Sequence, residues 1–395
     1  MKIVVLIYYH PEFYPPTLNA ILNLADLFES VTVVTRNTLQ SDFKYPNNVN
    51  LIKLGPYKTI KETEERSLIS KGFSFFSLCR KAFSVINNVK PEYVVAYDPI
   101  PLLTITLLRP VFSKTKMWYH NHDISQINQF KKFSIGWFAA KYERRAFSFL
   151  DIFSLPAKER LDYFHSFKKG KTKFFYLPNF PSKKIYRSFS SSEPDSQEVN
   201  LIYQGSIGPG HGLEEIIDCL DTLVVGMRLN LFLKGNINNE FKAKLIEHAK
   251  LNGVEKQLSF FGITPYVEVP KLTQKAHIGL AIHMGTDVMN RTLGTASNKI
   301  YEYAAVGLPV LLYDNSHFRE HCDKYEWAFF TNCTRNSLIK CISEILADYP
   351  RFSKAAKSDF EKKLNFEYYF REIQDSMSQT SMKLTVKDLS NVKYL

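Results

Sequence analysis

Short runs of valine, isoleucine, leucine and tyrosine alternate with helical-period segments along nearly the whole chain, and the series breaks once, near residue 190. Strands that lack an internal polar alternation are covered on both faces, so the pattern predicts an α/β fold with parallel sheets, built twice. In the first half the expected strands span residues 2–9, 31–35, 93–97, 116–120, 151–154 and 173–177, with helices over 18–28 and 137–149. In the second half they span 200–204, 229–234, 258–261, 277–282 and 309–313, with helices over 213–223 and 298–306. Between the two series, Pro178-Asn179-Phe180-Pro181 and the polar stretch from Ser188 to Ser196 carry loop signals. The expected organisation is a first domain over 1–180, a linker over 181–199, a second domain over 200–365, and a terminal helix and tail over 366–395. With 395 residues, 45% of them apolar, the chain can build a core in each domain.

The charge is distributed unevenly. The chain carries +12 overall, yet residues 1–190 hold 28 basic and 14 acidic side chains while residues 191–395 hold 23 and 25. A partner of the first domain is therefore expected to be anionic: a phospholipid face, a phosphorylated substrate or nucleic acid. Nucleic acid is set aside, because the excess lies on one half of a double α/β pattern with no recognisable nucleic-acid module. Within the basic half, Phe130-Lys131-Lys132-Phe133-Ser134-Ile135-Gly136-Trp137-Phe138 interleaves cations with aromatics. Lys131, Lys132 and Trp137 are the candidates for contact with an acidic bilayer or its acceptor, and the competing reading is a helix with buried aromatics and solvated lysines. No window reaches the roughly 18 apolar residues of a membrane span. The opening apolar run is followed by His10-Pro11-Glu12 and no small-residue cleavage site, so a buried strand and a cytoplasmic protein, peripheral at the inner membrane face, are expected. The five cysteines are scattered without metal spacing and read as reduced thiols.

Two segments of the second half suggest a phosphate site. Leu201 to Ile217 places a strand, a glycine-rich turn from Gly205 through Ser206, Gly208, Gly210, His211 and Gly212, and then a helix. Glycines let backbone N–H groups approach an anion, although many such turns use them only for φ. Further on, Ser297-Asn298-Lys299-Ile-Tyr-Glu302 opens a short helix that stops at Gly307, with Ser297 as the expected cap. A first-turn lysine opposes the helix dipole, so Lys299 calls for an anion or an exposed place, and a surface pair with Glu302 is the alternative.

This second stretch, with Ser297, Lys299, Glu302 and Tyr303 ahead of Gly307-Leu-Pro309-Val, resembles the donor-site signature of family 4 retaining glycosyltransferases of bacterial surface-polysaccharide type. The glycine loop resembles the first signature of the same domain, Phe261-Gly262-Ile263-Thr264 with Val267-Glu268-Val269-Pro270 resembles the loop bordering the nucleotide base, and Leu177-Pro178-Asn179 resembles the interdomain crossover. The resemblance covers most of the chain, most strongly from about residue 200 to 315. It implies the GT-B fold: two Rossmann-like domains facing a cleft, with a terminal helix bearing Phe366, Tyr368, Tyr369 and Phe370 that crosses back to the first domain. It implies a nucleotide-diphosphate sugar as donor substrate, no cofactor, and a glycan acceptor, with a lipid-linked one expected.

Residue by residue, the resemblance puts Glu302 on the donor ribose and Gly205, Ser206, His211, Lys234, Ser297, Asn298, Lys299 and Thr17 around the donor. Position 294, where the family's second glutamate contacts the sugar, is glycine, and the family's pyrophosphate cations are replaced by Ser206 and His211. Lys299 and Lys234 are the expected substitutes. In the first half, Trp118-Tyr-His120-Asn121-His122-Asp123 closes a strand at its carboxyl end; His122 resembles the family's acceptor-side histidine, with Asp123 expected to orient it and His120 as second candidate. Pro15-Pro16-Thr17 stands where the family has glycines, and Thr17 is expected to cap the following helix. No Asp-x-Asp pair occurs, and no metal is expected. The alternatives are a sugar-nucleotide 2-epimerase on the same fold and a partner subunit with reduced catalysis.

Overall fold

In a computed structural model of the protein, residues 1–124, 126–168, 170–195, 197–284 and 297–391 are described. The chain forms two units, Met1–Pro178 with Tyr369–Leu395, and Asn179–Tyr368.

The first unit holds a seven-stranded sheet of β1 (Lys2–Leu6), β2 (Ser30–Arg36), β3 (Val49–Leu54), β4 (Tyr93–Tyr97), β5 (Lys116–His120), β6 (Ile152–Leu155) and β7 (Lys173–Tyr176). Every pairing is parallel and the order is β3-β2-β1-β4-β5-β6-β7. The apolar runs of β1 and β4 are buried on both faces, as their lack of alternation requires. The order reverses beside β1, so the carboxyl ends of β1 and β4 diverge and leave a crevice there. Residues of the terminal helix Phe366–Asn391 belong to this unit from Tyr369 on: Phe370 lies 6.2 Å from the Trp118 ring, and Tyr93 donates to the Met377 carbonyl.

The second unit repeats the plan with β8 (Glu198–Ile207), β9 (Arg228–Ile237), β10 (Leu258–Phe260), β11 (Ile278–Ala281), β12 (Val310–Tyr313) and β13 (Ala328–Thr331). They too are parallel, ordered β10-β9-β8-β11-β12-β13, with the reversal between β8 and β11. The fold is thus the expected double parallel α/β architecture. The sequence pattern does not reveal the edge strands β3 and β13; β3 leaves Asn50 and Lys53 exposed and reads as polar.

Helices differ from expectation where capping or turn chemistry intervenes. The helix expected over 213–223 covers only Leu213–Ile217, since the Cys219 and Leu220 amides turn back to the carbonyls three residues earlier. The helix expected over 18–28 is Pro15–Leu27, started by two prolines, and Thr17 lies inside its first turn, so it caps nothing. The helix expected over 137–149 is Ile135–Ala146, capped by the Ser134 hydroxyl, which accepts from the Trp137 amide at 3.2 Å. The five cysteines are unpaired.

Candidate functional site

A cavity of about 490 Å³ opens at the carboxyl end of the second sheet, at its reversal point. The long ladder of β8 and β9 brings Gln204 beside Lys234, Gly205 beside Gly235 and Ser206 beside Asn236, and all six line the cavity. Gly205 and Ser206 are therefore strand residues, and the turn proper begins at Gly208. Gly235, at φ +142°, admits no side chain, because a Cβ there would lie 1.8 Å from the Gly205 carbonyl oxygen. The opposite wall comes from Ser297, Asn298, Lys299 and Glu302 of the helix Asn298–Ala305. That helix sits tightly on β11, where a Cβ on Gly279 would fall 2.3 Å from the Tyr303 ring. Ser297 occupies the cap position but its hydroxyl makes no capping bond, and among the described residues the buried Asn298 Oδ1 has no partner. Both departures from the expected cap leave polar atoms at the cavity. Gly294 lies outside the described residues.

Lys299 is built into an aromatic platform. Its ammonium donates to the Tyr203 hydroxyl at 2.7 Å, lies 4.0 Å from the centre of the same ring and sits 3.4 Å from the His283 Nε2. Burial outweighs the attraction of Glu302 and lowers its pKa to about 7. His211 also stacks on the Tyr203 ring: its Nδ1 accepts from the Gly208 amide at 3.2 Å and lies 2.9 Å from the Tyr203 hydroxyl. Burial, with Lys299 nearby, holds its pKa down to about 4, so the ring is neutral at pH 7. His211 does not line the cavity and brings no positive charge to it.

Glu302 is the acidic group of the cavity, 6% exposed. The Gln204 side-chain amide donates to its Oε2 at 2.5 Å, and the Tyr266 hydroxyl is bonded to it as well. Gln204 is itself fixed by Thr273, whose hydroxyl donates to its Oε1 at 2.9 Å. Burial raises the Glu302 pKa to about 7. Lys234 donates to the Thr264 hydroxyl at 2.6 Å, and burial lowers its pKa. Two lysines, one carboxylate, three glycines and a helix start thus meet in one cavity, a set suited to a diphosphate joined to a vicinal diol.

The first unit has a second cavity, of about 240 Å³, lined by His122, Asp123, Asp98, Tyr8, Tyr9 and Tyr14 among others. His122 is 8% exposed and held on every side: Nδ1 lies 2.9 Å from Asp98 Oδ2, its amide donates to Asp98 Oδ1, Nε2 lies 3.1 Å from the Thr17 hydroxyl, and its ring stacks on Tyr14 and Tyr97. Asp98, not Asp123, is the orienting carboxylate. Asp123 instead pairs with Arg160 at 2.9 Å. Asp98 adopts φ +68°, an uncommon conformation for a residue with a Cβ, stabilised by its two bonds to His122. His120 faces Ser154, 2.8 Å from its hydroxyl, and is fully buried. Thr17 contacts His122 in the first unit and is not among the residues of the donor-type cavity.

Lys131, Lys132 and Phe133 are exposed, and Trp137 is half-buried with its ring 5.5 Å from Phe133. Among the described residues, the one cluster of metal-type ligands is His317, Glu320 and His321, none of which lines either cavity. No helix of the described residues is long and apolar enough to cross a membrane.

Solved structures with the same arrangement extend over almost the whole chain. A sucrose-phosphate synthase from Thermosynechococcus elongatus superposes with a TM-score of 0.67 at 14% identity, covering 98% of this chain and 100% of its own. The fold is GT-B. HepE of Anabaena, solved with UDP and glucose, gives a TM-score of 0.61 at 14% identity over 96% of this chain and 100% of its own. A putative UDP-N-acetylglucosamine 2-epimerase from Listeria monocytogenes gives 0.60 at 12% identity over 97% of each chain. Residues 185–361, within the second unit, match the family model of glycosyl transferases group 1. No curated protein matches the chain significantly.

Asp98, Tyr203, Gln204, Tyr266 and His283 take part in these sites without having been singled out in the sequence. Two had a visible signal: Gln204 is a polar residue closing an apolar strand run, and Asp98 separates a buried strand from Pro99-Ile-Pro101.

Proposed function

We propose that the protein is a retaining, metal-independent glycosyltransferase that moves a sugar from a nucleotide-diphosphate donor, held in the second unit, to a lipid-linked glycan acceptor, held in the first, during surface polysaccharide assembly. The observation that carries this reading is the meeting of Lys299, Lys234 and Glu302 in one glycine-walled cavity. Glu302 takes the ribose hydroxyls, and the lysines neutralise the diphosphate as it leaves. HepE, which holds UDP and glucose, supports a uridine-type donor. The test is incubation with a panel of nucleotide sugars, following diphosphate release with and without membrane extract. Transfer requires the extract; a 2-epimerase would convert the donor without acceptor and without release. The neutral His211 favours the partner-subunit reading instead if no nucleotide sugar binds at all.

His122 is assigned a part in the transfer step, oriented by Asp98. His122→Ala is expected to lower turnover about tenfold, the weight of one net hydrogen bond of about 1.4 kcal/mol, with nucleotide affinity unchanged in calorimetry. Equal losses of activity and thermal stability would return His122 to a structural role.

The first unit is assigned to an anionic membrane surface through Lys131, Lys132 and Trp137. The helix Leu68–Val89 of the same unit supports this, since Ile69, Phe73 and Phe76 on one of its faces are 74%, 73% and 67% exposed. Replacing Lys131 and Lys132 by glutamate is expected to release the protein from acidic liposomes in low-salt flotation. Unchanged flotation would remove this segment from the interface.

A further inference from the structure

Outside both cavities, the first unit encloses a small third pocket of about 90 Å³ at the carboxyl ends of β2 and β3. Arg36 ends β2, Lys58 follows β3, Arg66 follows the short helix Ile60–Glu64, and Ser74 projects from the helix Leu68–Val89. Arg36 donates through Nη1 to the Tyr8 hydroxyl at 2.8 Å and through Nη2 to the Ser74 Oγ at 2.9 Å. Arg66 donates through Nη1 to the same Ser74 Oγ at 2.9 Å. Two guanidinium groups therefore converge on one neutral hydroxyl. Among the described residues no carboxylate lies within 4.0 Å of Arg36, Arg66 or Lys58. Lys58 acts by charge on Glu62, whose Oε2 is already bonded to the Thr59 amide at 2.7 Å and hydroxyl at 2.8 Å. The Arg66 Nε is buried and has no acceptor among the described residues.

Like charges gathered this closely, with an unused buried donor among them, repel one another until an anion takes the place of the missing acceptor. Guanidinium groups suit tetrahedral oxyanions, whose paired oxygens match their parallel donors. The pocket is too small for a sugar nucleotide. We infer that the pocket framed by Arg36, Lys58 and Arg66 binds a single phosphate group, that of a phosphate ester or of a phospholipid head. Arg36, which lines the pocket, donates to Tyr8, which lines the His122 cavity, so one hydrogen bond links the two. Within the function proposed above, this phosphate anchors the acceptor; the site itself does not depend on that reading, because its test uses no sugar donor.

The test titrates inorganic phosphate into the full-length protein at constant ionic strength and follows the thermal midpoint of wild type, Arg66→Gln, Lys58→Gln and Lys299→Met. A phosphate-dependent rise is expected in wild type and Lys299→Met, abolished in Arg66→Gln and several-fold weaker in Lys58→Gln, each measured from its own starting midpoint. No rise in wild type, or a rise that survives Arg66→Gln and disappears in Lys299→Met, overturns the assignment, the latter by placing the anion in the cavity of the second unit. Lys58→Gln keeps the test decisive if Arg66→Gln does not fold. Competition then separates the sources. Release from phosphatidic-acid vesicles by glycerol 3-phosphate in wild type, with no vesicle binding by Arg66→Gln, puts a lipid head in the pocket; phosphate binding with vesicle binding indifferent to both leaves it to soluble esters.

Discussion

Replacing Lys299 by methionine is expected to lower turnover by about 100- to 1,000-fold, corresponding to roughly 2.7 to 4 kcal/mol of barrier for one preorganised charge-stabilising group. Methionine is an unbranched apolar side chain suited to the place beside the Tyr203 ring, and it removes the charge together with the ammonium's hydrogen bond to the Tyr203 hydroxyl. The loss falls on turnover more than on donor affinity, because negative charge grows on the diphosphate as the sugar bond breaks. The effect also has a pH signature. In the free protein Lys299 has its pKa lowered to about 7, and a bound diphosphate raises it again. Donor affinity contributed by Lys299 is thus full below about pH 7 and falls as pH rises through the bound-state pKa. Binding measured from pH 6 to 9 should weaken on the alkaline side in wild type and lose that dependence in Lys299→Met; His211 and His283, held neutral throughout, add nothing to it. Full turnover in Lys299→Met would remove this lysine from the reaction.

Glu302→Ala is expected to weaken nucleotide-diphosphate binding by about 10- to 150-fold, from the loss of charged hydrogen bonds of roughly 1.5 to 3 kcal/mol. The carboxylate is available to a diol only when ionised, and burial raises its pKa to about 7. Its contribution is present above that value and lost as pH falls through the lower pKa of the complex, the opposite limb from Lys299. Affinity should therefore peak near neutrality. Calorimetry showing wild-type affinity in Glu302→Ala would disprove the ribose assignment.

The architecture was legible because parallel strands buried on both faces are apolar throughout, as in Ile3 to Leu6 and Tyr93 to Tyr97. The edge strands β3 and β13 were not, and in β3 the reason is visible, since Asn50 and Lys53 meet water. Lys299, Glu302, Lys234 and Ser206 could be read from spacing and resemblance, and they line one cavity. Their supports could not: Gln204 reaches Glu302 across 98 positions, through the sheet. The partner of His122 shows the same limit. Adjacency pointed to Asp123, whereas the pairing of Tyr97 with His120 across β4 and β5 carries Asp98 to the imidazole. Likewise, the residue that replaces a cation at position 211 gives no warning in sequence that its ring turns onto Tyr203.

The most direct measurement is diphosphate release from a panel of nucleotide sugars, with membrane extract as acceptor and the label followed into the lipid fraction. The proposed function predicts release of one nucleotide diphosphate for each sugar transferred, dependent on the extract and lowered about 100- to 1,000-fold in Lys299→Met. If the wild-type protein neither binds any nucleotide sugar nor releases its diphosphate, the account is contradicted.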